Sequence, residues 1–313
     1  MKADSTTLPL GIDLGDRRIR VALAAIRRNT PPKLLAVAAR EHGGDLPDAL
    51  FSALDELQTP ERRCVLGLSL PDAQLCTADF PPMTAWERVS AARYEAARFI
   101  DYPIADAAVS LVRTSDRQRW TIGIVRRSAL AKALDIAKQA RLRPVAVDDT
   151  AFALRRSQPT ADGVIDVGAG ATRLTLFGEA IPYVVRLPIG GERLTDAIAQ
   201  SLGIDVATAE ERKRSFGFGG AGDAQREALI ASLGEAFADA RAAGYTEVRN
   251  VALCGNGSRI PGFAAAIERV LGYTVHPATM PPDCSDTLPP DVLRAAAADW
   301  SIAYGLSLWS STK

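Results

Sequence analysis

The sequence has two histidines, four cysteines and only 6% aromatic residues. His42 and His276 both lie in loop-like sequence, so no histidine-based catalytic pair is expected. Cys64, Cys76, Cys254 and Cys284 show neither C-x-x-C spacing nor a histidine at zinc-finger distance, which excludes a structural metal site or a disulfide framework. Reduced thiols in a cytoplasmic protein are the expectation. There is no apolar run of about 18 residues that would span a bilayer. The opening "MKADSTTLPL" lacks the apolar core of a signal peptide. Nor is there an excess of either charge, with 37 basic against 37 acidic residues, so no nucleic-acid partner is expected. The glycine-rich "GFGGAGD" is not followed by a G-K-[ST] step; it is a tether, not a Walker A loop.

What remains is an ordinary soluble composition, 47% hydrophobic and 24% charged over 313 residues, enough for two lobes. Its elements alternate between strand and helix. A hairpin is expected over 10–26, a strand over 33–41, and a helix over 46–58 with Leu46, Leu50, Leu54 and Leu57 on one face. A buried strand follows at 63–70. From 76 to 143 the character changes to an inserted α/β subdomain. Its helix at 84–99 starts on a Thr84/Glu87 capping box, and two strands flank the polar turn 116–119 before a helix at 128–141. A strand from 144 then runs into a helix at Asp148 and Asp149. The loop 157–162 marks a boundary between a first lobe, 1–162, and a second, 163–299; the segment 300–313 returns to the first. Helices are expected over 192–202, 205–216, 223–243 and 291–309, with an irregular Pro-rich stretch at 277–290.

One pattern occurs twice. "LGIDLGDRRIRVAL", 10–23, and "VIDVGAGATRLTLF", 164–177, share I-D-x-G-x-x-x-x-R-x-x-L. Asp13 matches Asp166, Gly15 matches Gly168, and Arg20 matches Arg173. A strand delivers an aspartate to its end, and a glycine then allows a tight turn whose N–H groups form an anion-binding concavity. Asp13 and Asp166 can hold a Mg²⁺ through its water shell. One D-x-G marks only a hairpin; two copies, each opening an α/β lobe, make a phosphate clamp. A third glycine motif, Gly255-Asn256-Gly257, follows a strand and precedes a helix, where a flat ring or a sugar can approach backbone. On "VATAEERKRSFG", Glu210 and Lys213 share a helix face suited to a ribose and base, or to a simple ion pair.

In this order, with "GGERLTDAIAQSLGIDVATAEERKRSFG" between the second hairpin and the G-N-G loop, the motifs resemble the PilM-type actin-like ATPases of type IV pilus assembly, in the superfamily that includes FtsA. The resemblance implies an actin-like two-lobed α/β fold, with ribonuclease H-like lobes around a nucleotide cleft and a small inserted subdomain. It implies a nucleotide site with Asp13 and Gly15 in the first phosphate turn, and Asp166, Gly168, Gly170 and Thr172 in the second. Gly190 and Gly191 would lie under the nucleotide, and Glu210 and Lys213 on its ribose and base. Gly255, Asn256, Gly257 and Ile260 would close the adenosine pocket. Asp148 or Asp149 would stand near the attacking water. The cofactors implied are ATP and Mg²⁺.

The first turn departs from the family, where serines are common: here it is Asp16-Arg17-Arg18, with Arg20 in the place of a lysine. Asp16 sets a carboxylate where phosphates would pass, and Arg17 and Arg18 are expected to screen it or bind phosphate. The implied function is a cytoplasmic ATP-binding scaffold, at most a weak ATPase, held at the inner membrane through its partners. Its partner would be the cytoplasmic tail of a PilN-like inner-membrane protein, seated in a groove beside the inserted subdomain; other pilus assembly proteins and self-association are further expectations. The alternatives are an actin-like adaptor without nucleotide, or a small-molecule kinase of the same superfamily; for a kinase no sugar-binding cluster stands out between 60 and 145.

Overall fold

A computed structural model describes residues 5–27, 30–114, 118–279, 288 and 290–310. Most of the expected irregular stretch 277–290, Cys284, the first half of the turn at 116–119 and the last residues of 300–313 lie outside them.

The first sheet is built from β1 (Ser5–Thr7), β2 (Leu10–Leu14), β3 (Arg18–Arg27), β4 (Lys33–Glu41) and β5 (Arg63–Leu68). Helix α1 (Leu46–Leu57) lies between the last two. Asp45 caps α1 by accepting from the Asp48 N–H, and the helix buries Leu50 and Leu54. Next come β6 (Ala73–Asp79), α2 (Ala85–Ala96), β7 (Ala107–Arg113) and β8 (Arg119–Arg126). They form a separate three-stranded antiparallel sheet, ordered β6-β8-β7, with its own core of Cys76, Phe80, Ala92, Ala96, Ile122 and Ile124 under α2. The Thr84/Glu87 capping box is present.

Helix α3 (Arg127–Gln139) differs from expectation. It falls within the stretch 76–143 expected for the insert, yet Ala133, Ile136 and Ala137 pack with Leu10, Ile12 and Leu66 in the core of the first sheet. The third sheet therefore runs from Ala73 to Arg126, and α3 covers its neighbour. Strand β9 (Arg143–Asp149) then joins β5 in parallel, giving the order β1-β3-β2-β5-β9 with β4 also on β3. Helix α4 (Thr150–Ser157) follows directly, capped by Asp149.

The second half repeats this plan. It contains β10 (Gly163–Val167), β11 (Thr172–Leu176), β12 (Tyr183–Leu187), α5 (Gly191–Leu202), α6 (Val206–Phe216) and α7 (Asp223–Ala242). It continues with β13 (Asn250–Cys254), α8 (Phe263–Leu271) and β14 (Thr274–Pro277). The sheet order β12-β11-β10-β13-β14 matches β4-β3-β2-β5-β9 strand for strand: three antiparallel strands, then two that run parallel to the third. The duplication seen in the motifs is thus a duplication of topology.

Helix α9 (Pro290–Ser307) returns between the halves. Ala303 and Tyr304 pack on Ala22, Ala24 and Leu34 of the first sheet, while Ile302 and Leu306 join Val164, Ala252 and Cys254 of the second. Glycine makes this fit possible. A Cβ on Gly11 would stand 1.8 Å from the Ala303 carbonyl, and one on Gly305 would stand 1.9 Å from that of Ala153 in α4. Backbone meets backbone at both crossings, with no room to repack. Gly305→Ala is therefore expected to lower the unfolding free energy by about 3 kcal/mol, read as the shift of a urea transition; a shift within experimental scatter would mean that the crossing is looser than described.

Candidate functional site

The two hairpins face each other across a cleft between the halves. In the first, the antiparallel register sets Asp13 opposite Arg20; in the second it sets Asp166 opposite Arg173. The Arg Nη1 to Asp Oδ2 distances are 3.6 Å and 3.7 Å. Directly opposed residues on an antiparallel pair share one face, so a single register rule produces both pairs. Burial pushes the Asp13 carboxyl above its usual range, opposed by Arg20 and Arg173 and reinforced by Asp166 and Asp16. The Nε atoms of Arg20 and Arg173 are buried without a hydrogen-bond partner. Two unspent guanidinium donors, one on each wall, fit an anionic group entering between the hairpins. Among the described residues no group of three or more His, Cys, Asp or Glu side chains could hold a bare metal ion. Asp13 and Asp166 suit only a hydrated cation carried in with an anion.

Around these pairs the cleft gathers Gly15, Gly168, Gly191, Glu210, Lys213, Gly255, Asn256, Gly257 and Ile260. The second turn is fastened to α5: the Gly191 N–H donates to the Gly168 carbonyl at 2.8 Å and the Glu192 N–H to that of Ala169 at 3.0 Å. The orphan donors at the start of α5 are thereby capped by the turn. Lys213, only 4% exposed, donates to the Gly191 carbonyl, the Thr195 hydroxyl and Glu210 Oε2 at 2.9, 2.6 and 2.6 Å. All three of its protons are engaged. Burial pushes the Glu210 carboxyl up, but hydrogen bonds from Lys213 and Thr195 outweigh it and hold the carboxyl below its usual range. Lys213 thus ties α6 to α5 and braces the cleft floor. Gly255 adopts φ +74°, which lets the chain turn from β13 past the Val167 carbonyl.

The tip of the first hairpin brings Arg17 and Arg18 to the cleft as expected, but both are paired with carboxylates. Arg17 pairs with Glu192 of α5, across the cleft, and Arg18 with Glu41 at 2.8 Å. Asp16 leans over the second turn, 3.2 Å from where a Cβ on Gly170 would lie. His42 holds the hairpin from behind, its ring Nε2 3.2 Å from the Gly15 carbonyl. Seven acidic and seven basic side chains line the cleft, so its walls carry no net charge. Its volume is about 240 Å³, below the roughly 300 Å³ at which ligand pockets begin.

Several predicted residues stand elsewhere. Thr172 is fully buried, and its hydroxyl donates to the Ile189 carbonyl at 2.7 Å, so it offers nothing to a phosphate. Gly190 packs behind the second turn, where a Cβ would meet the Ala169 carbonyl at 2.3 Å, and Gly170 sits at the tip rather than in the wall. Asp148 and Asp149 do not reach the cleft. They line a second cavity, a groove of about 880 Å³ between the third sheet, β9, α4 and residues 179–180 of the second half. Asp148 pairs there with Arg156, whose Nε donates to the Gly305 carbonyl at 2.8 Å. Asp149 Oδ1 accepts from the Ala151 N–H at 2.8 Å as the α4 cap, and burial pushes its carboxyl up to about 7. Strand β9 runs parallel to β5 and β2 as the outer strand of its sheet, and the groove lies beside it; Arg173 of the second hairpin still acts on Asp149, holding its carboxyl down against the effect of burial.

Sequence reasoning missed the α9 wall of the cleft, where Asp299 pairs with Arg259 at 2.7 Å beside Ser301. The signal was there: Asp299 and Ser301 are polar interruptions in an Ala-rich apolar helix. It also missed Val112, Phe152 and Trp309 in the groove, which come from three distant segments and carry no local signature.

Comparison with known proteins agrees with this architecture. The family model for Cell division protein FtsA matches residues 163–288. No curated protein matches. Among solved structures, the PilM-PilN type IV pilus biogenesis complex aligns with a TM-score of 0.79 at 24% identity, over 96% of this chain and 97% of that one. The ethanolamine utilization protein EutJ from Carboxydothermus hydrogenoformans aligns at 0.59 and 16% identity, over 97% and 90%. Diol dehydratase-reactivating factor, in a nucleotide-free form, also aligns at 0.59, with 10% identity over 96% and 98%. The chain has the actin-like fold, and its resemblance to PilM-type proteins is borne out at that level.

Two outcomes are expected from this geometry. Lys213→Met should lower stability by about 2–3 kcal/mol in chemical denaturation, because Glu210 and two acceptors lose their donor; an unchanged midpoint would remove Lys213 as a brace. Asp149 binds its proton more tightly when folded, so its contribution to stability declines as pH rises from 3.8 towards about 7 and is level above. Asp149→Asn keeps the cap and abolishes the ionisation. Its stability relative to the native protein should rise between about pH 5 and about pH 8 by on the order of 2–3 kcal/mol; parallel curves for the two proteins would show that burial does not govern this carboxyl.

Proposed function

We propose that this chain is a cytoplasmic actin-like scaffold of a pilus, competence or secretion assembly platform, which takes the extended tail of a PilN-like inner-membrane protein into the groove beside the third sheet. The observation that carries the reading is the groove itself. Residues 146–149 line it contiguously along the side of β9 that carries no strand among the described residues. Leu75, Val112, Phe152 and Trp309 give it apolar walls, and Val112 is 64% exposed on the edge strand β7. Arg155, Arg156 and Glu179 add charge. An extended peptide gains main-chain hydrogen bonds along an open strand edge and seats alternate side chains in pockets. The superposition on a structure of PilM with PilN supports a partner of that kind. No helix among the described residues is long and apolar enough to cross a membrane.

The cleft is the seat for ATP in this reading. Phosphates would lie between the hairpins, met by Arg20 and Arg173, and hydrated Mg²⁺ would be held by Asp13 and Asp166; the ion would supply charge neutralisation. Hydrolysis is weak at most, because Asp148 is paired with Arg156 and Asp149 is engaged as the α4 cap, which leaves neither free to act on an attacking water. A second reading, an adaptor that binds no nucleotide, is favoured by the Arg17–Glu192 contact across the cleft.

The deciding experiment is calorimetric titration with a synthetic peptide copying the cytoplasmic tail of a PilN-like partner. Val112→Asp should weaken binding about tenfold or more, and bound peptide should slow amide exchange over 107–113 and 146–149. Full-strength binding to the variant with no added protection would place the partner elsewhere.

A further inference from the structure

We propose that the tips of the two hairpins form a closure over the cleft, with Asp16 resting on Gly170 in the path of an incoming anion and Arg17 tied to Glu192 across the halves. The proposal rests on reading the cleft as a nucleotide site.

Three observations carry it. First, the second turn is the anion-binding concavity of its half, and the group lying on its tip is the protein's own carboxylate. Asp16 Oδ2 comes within 3.2 Å of the position a Gly170 Cβ would occupy, so a methyl there would crowd the carboxylate and push it back by a few tenths of an ångström. Second, the tip is held at both ends. Behind it, Arg18 binds Glu41, the His42 N–H donates to the Arg17 carbonyl at 3.2 Å, and the His42 ring meets Gly15. Ahead of it, Arg17 reaches Glu192 in the first turn of α5, where an acidic side chain also suits the helix dipole. Third, the cleft that these tips border has a volume of about 240 Å³, less than the roughly 300 Å³ of the smallest usual ligand pockets. A nucleotide enters only when the tips part.

The strength of the closure follows from its exposure. Arg17 is 71% exposed and Glu192 44%, so water and salt screen that pair heavily. Asp16 opposes an entering phosphate by like charge as well as by position. The closure is therefore a gate that opens in solution and opens more readily at high salt.

The test uses the full chain, its Asp16→Ser and Glu192→Gln variants, and Gly170→Ala, whose methyl displaces the Asp16 carboxylate. Amide exchange over 15–18 and 168–172 is measured without ligand, and Mg-ATP binding by calorimetry. In all three variants the turn amides are expected to exchange about tenfold faster, and Asp16→Ser is expected to bind ATP about tenfold more tightly. Unchanged exchange in all three overturns the closure, whatever the ATP affinity. Faster exchange with no ATP bound by any of the proteins upholds the closure and overturns the nucleotide reading. Faster exchange with equal ATP affinity in the native protein and Asp16→Ser overturns Asp16 as the obstacle.

Discussion

The cross-strand pairing of one aspartate with one arginine, made twice, organises the molecule. Each pair forms because a strand ending in aspartate folds back through a tight turn onto a strand that carries arginine at the opposing position. Buried together, the two ions of each pair offset each other's loss of water, which neither could bear alone. The register of each hairpin sets its pair and also sets where its turn points. Everything else in the cleft is arranged around those turns: α5 is capped by one of them, and the G-N-G loop and α9 wall in the space between.

The two halves differ in how they use this shared frame. The second is tied down inward, through the α5 cap and the Lys213 hydrogen bonds. The first is charged at its tip and reaches outward to the other half. The duplicated hairpins have thus kept one geometry and diverged in chemistry: one turn, Gly168 to Ala171, is small and uncharged, and the other carries Asp16, Arg17 and Arg18. The groove owes nothing to the hairpins. It exists because the third sheet is set off from the end of β9, touching the second half where the Thr121 hydroxyl donates to the Ala180 carbonyl at 3.3 Å.

Much of this was legible in the sequence, because it is written locally. The D-x-G hairpins, the capped helices and the Glu210/Lys213 face all follow from spacing, and all appear where spacing puts them. What was not legible depends on direction. The sequence shows that Asp148 and Asp149 end a strand, but not that the strand is an outer one flanked by the groove. It shows an amphipathic helix after β8, but not which of two neighbouring sheets Ala133 and Ile136 will cover. Thr172 illustrates a third limit, since a hydroxyl beside a turn serves the ligand or the backbone according to a rotation that no pattern records.

Helix α9 has a mechanical consequence. Ala298, Asp299, Ser301 and Ile302 form part of the cleft wall, and Trp309 and Ser310, just beyond the helix, form part of the groove wall. Between them Gly305 lies flush against α4 with no compressible side chain in the joint. A rod seated without slack moves at both ends or at neither. Any occupant of one cavity that shifts α9 therefore alters the other, and by thermodynamic reciprocity each occupant must change the affinity for the other by the same factor.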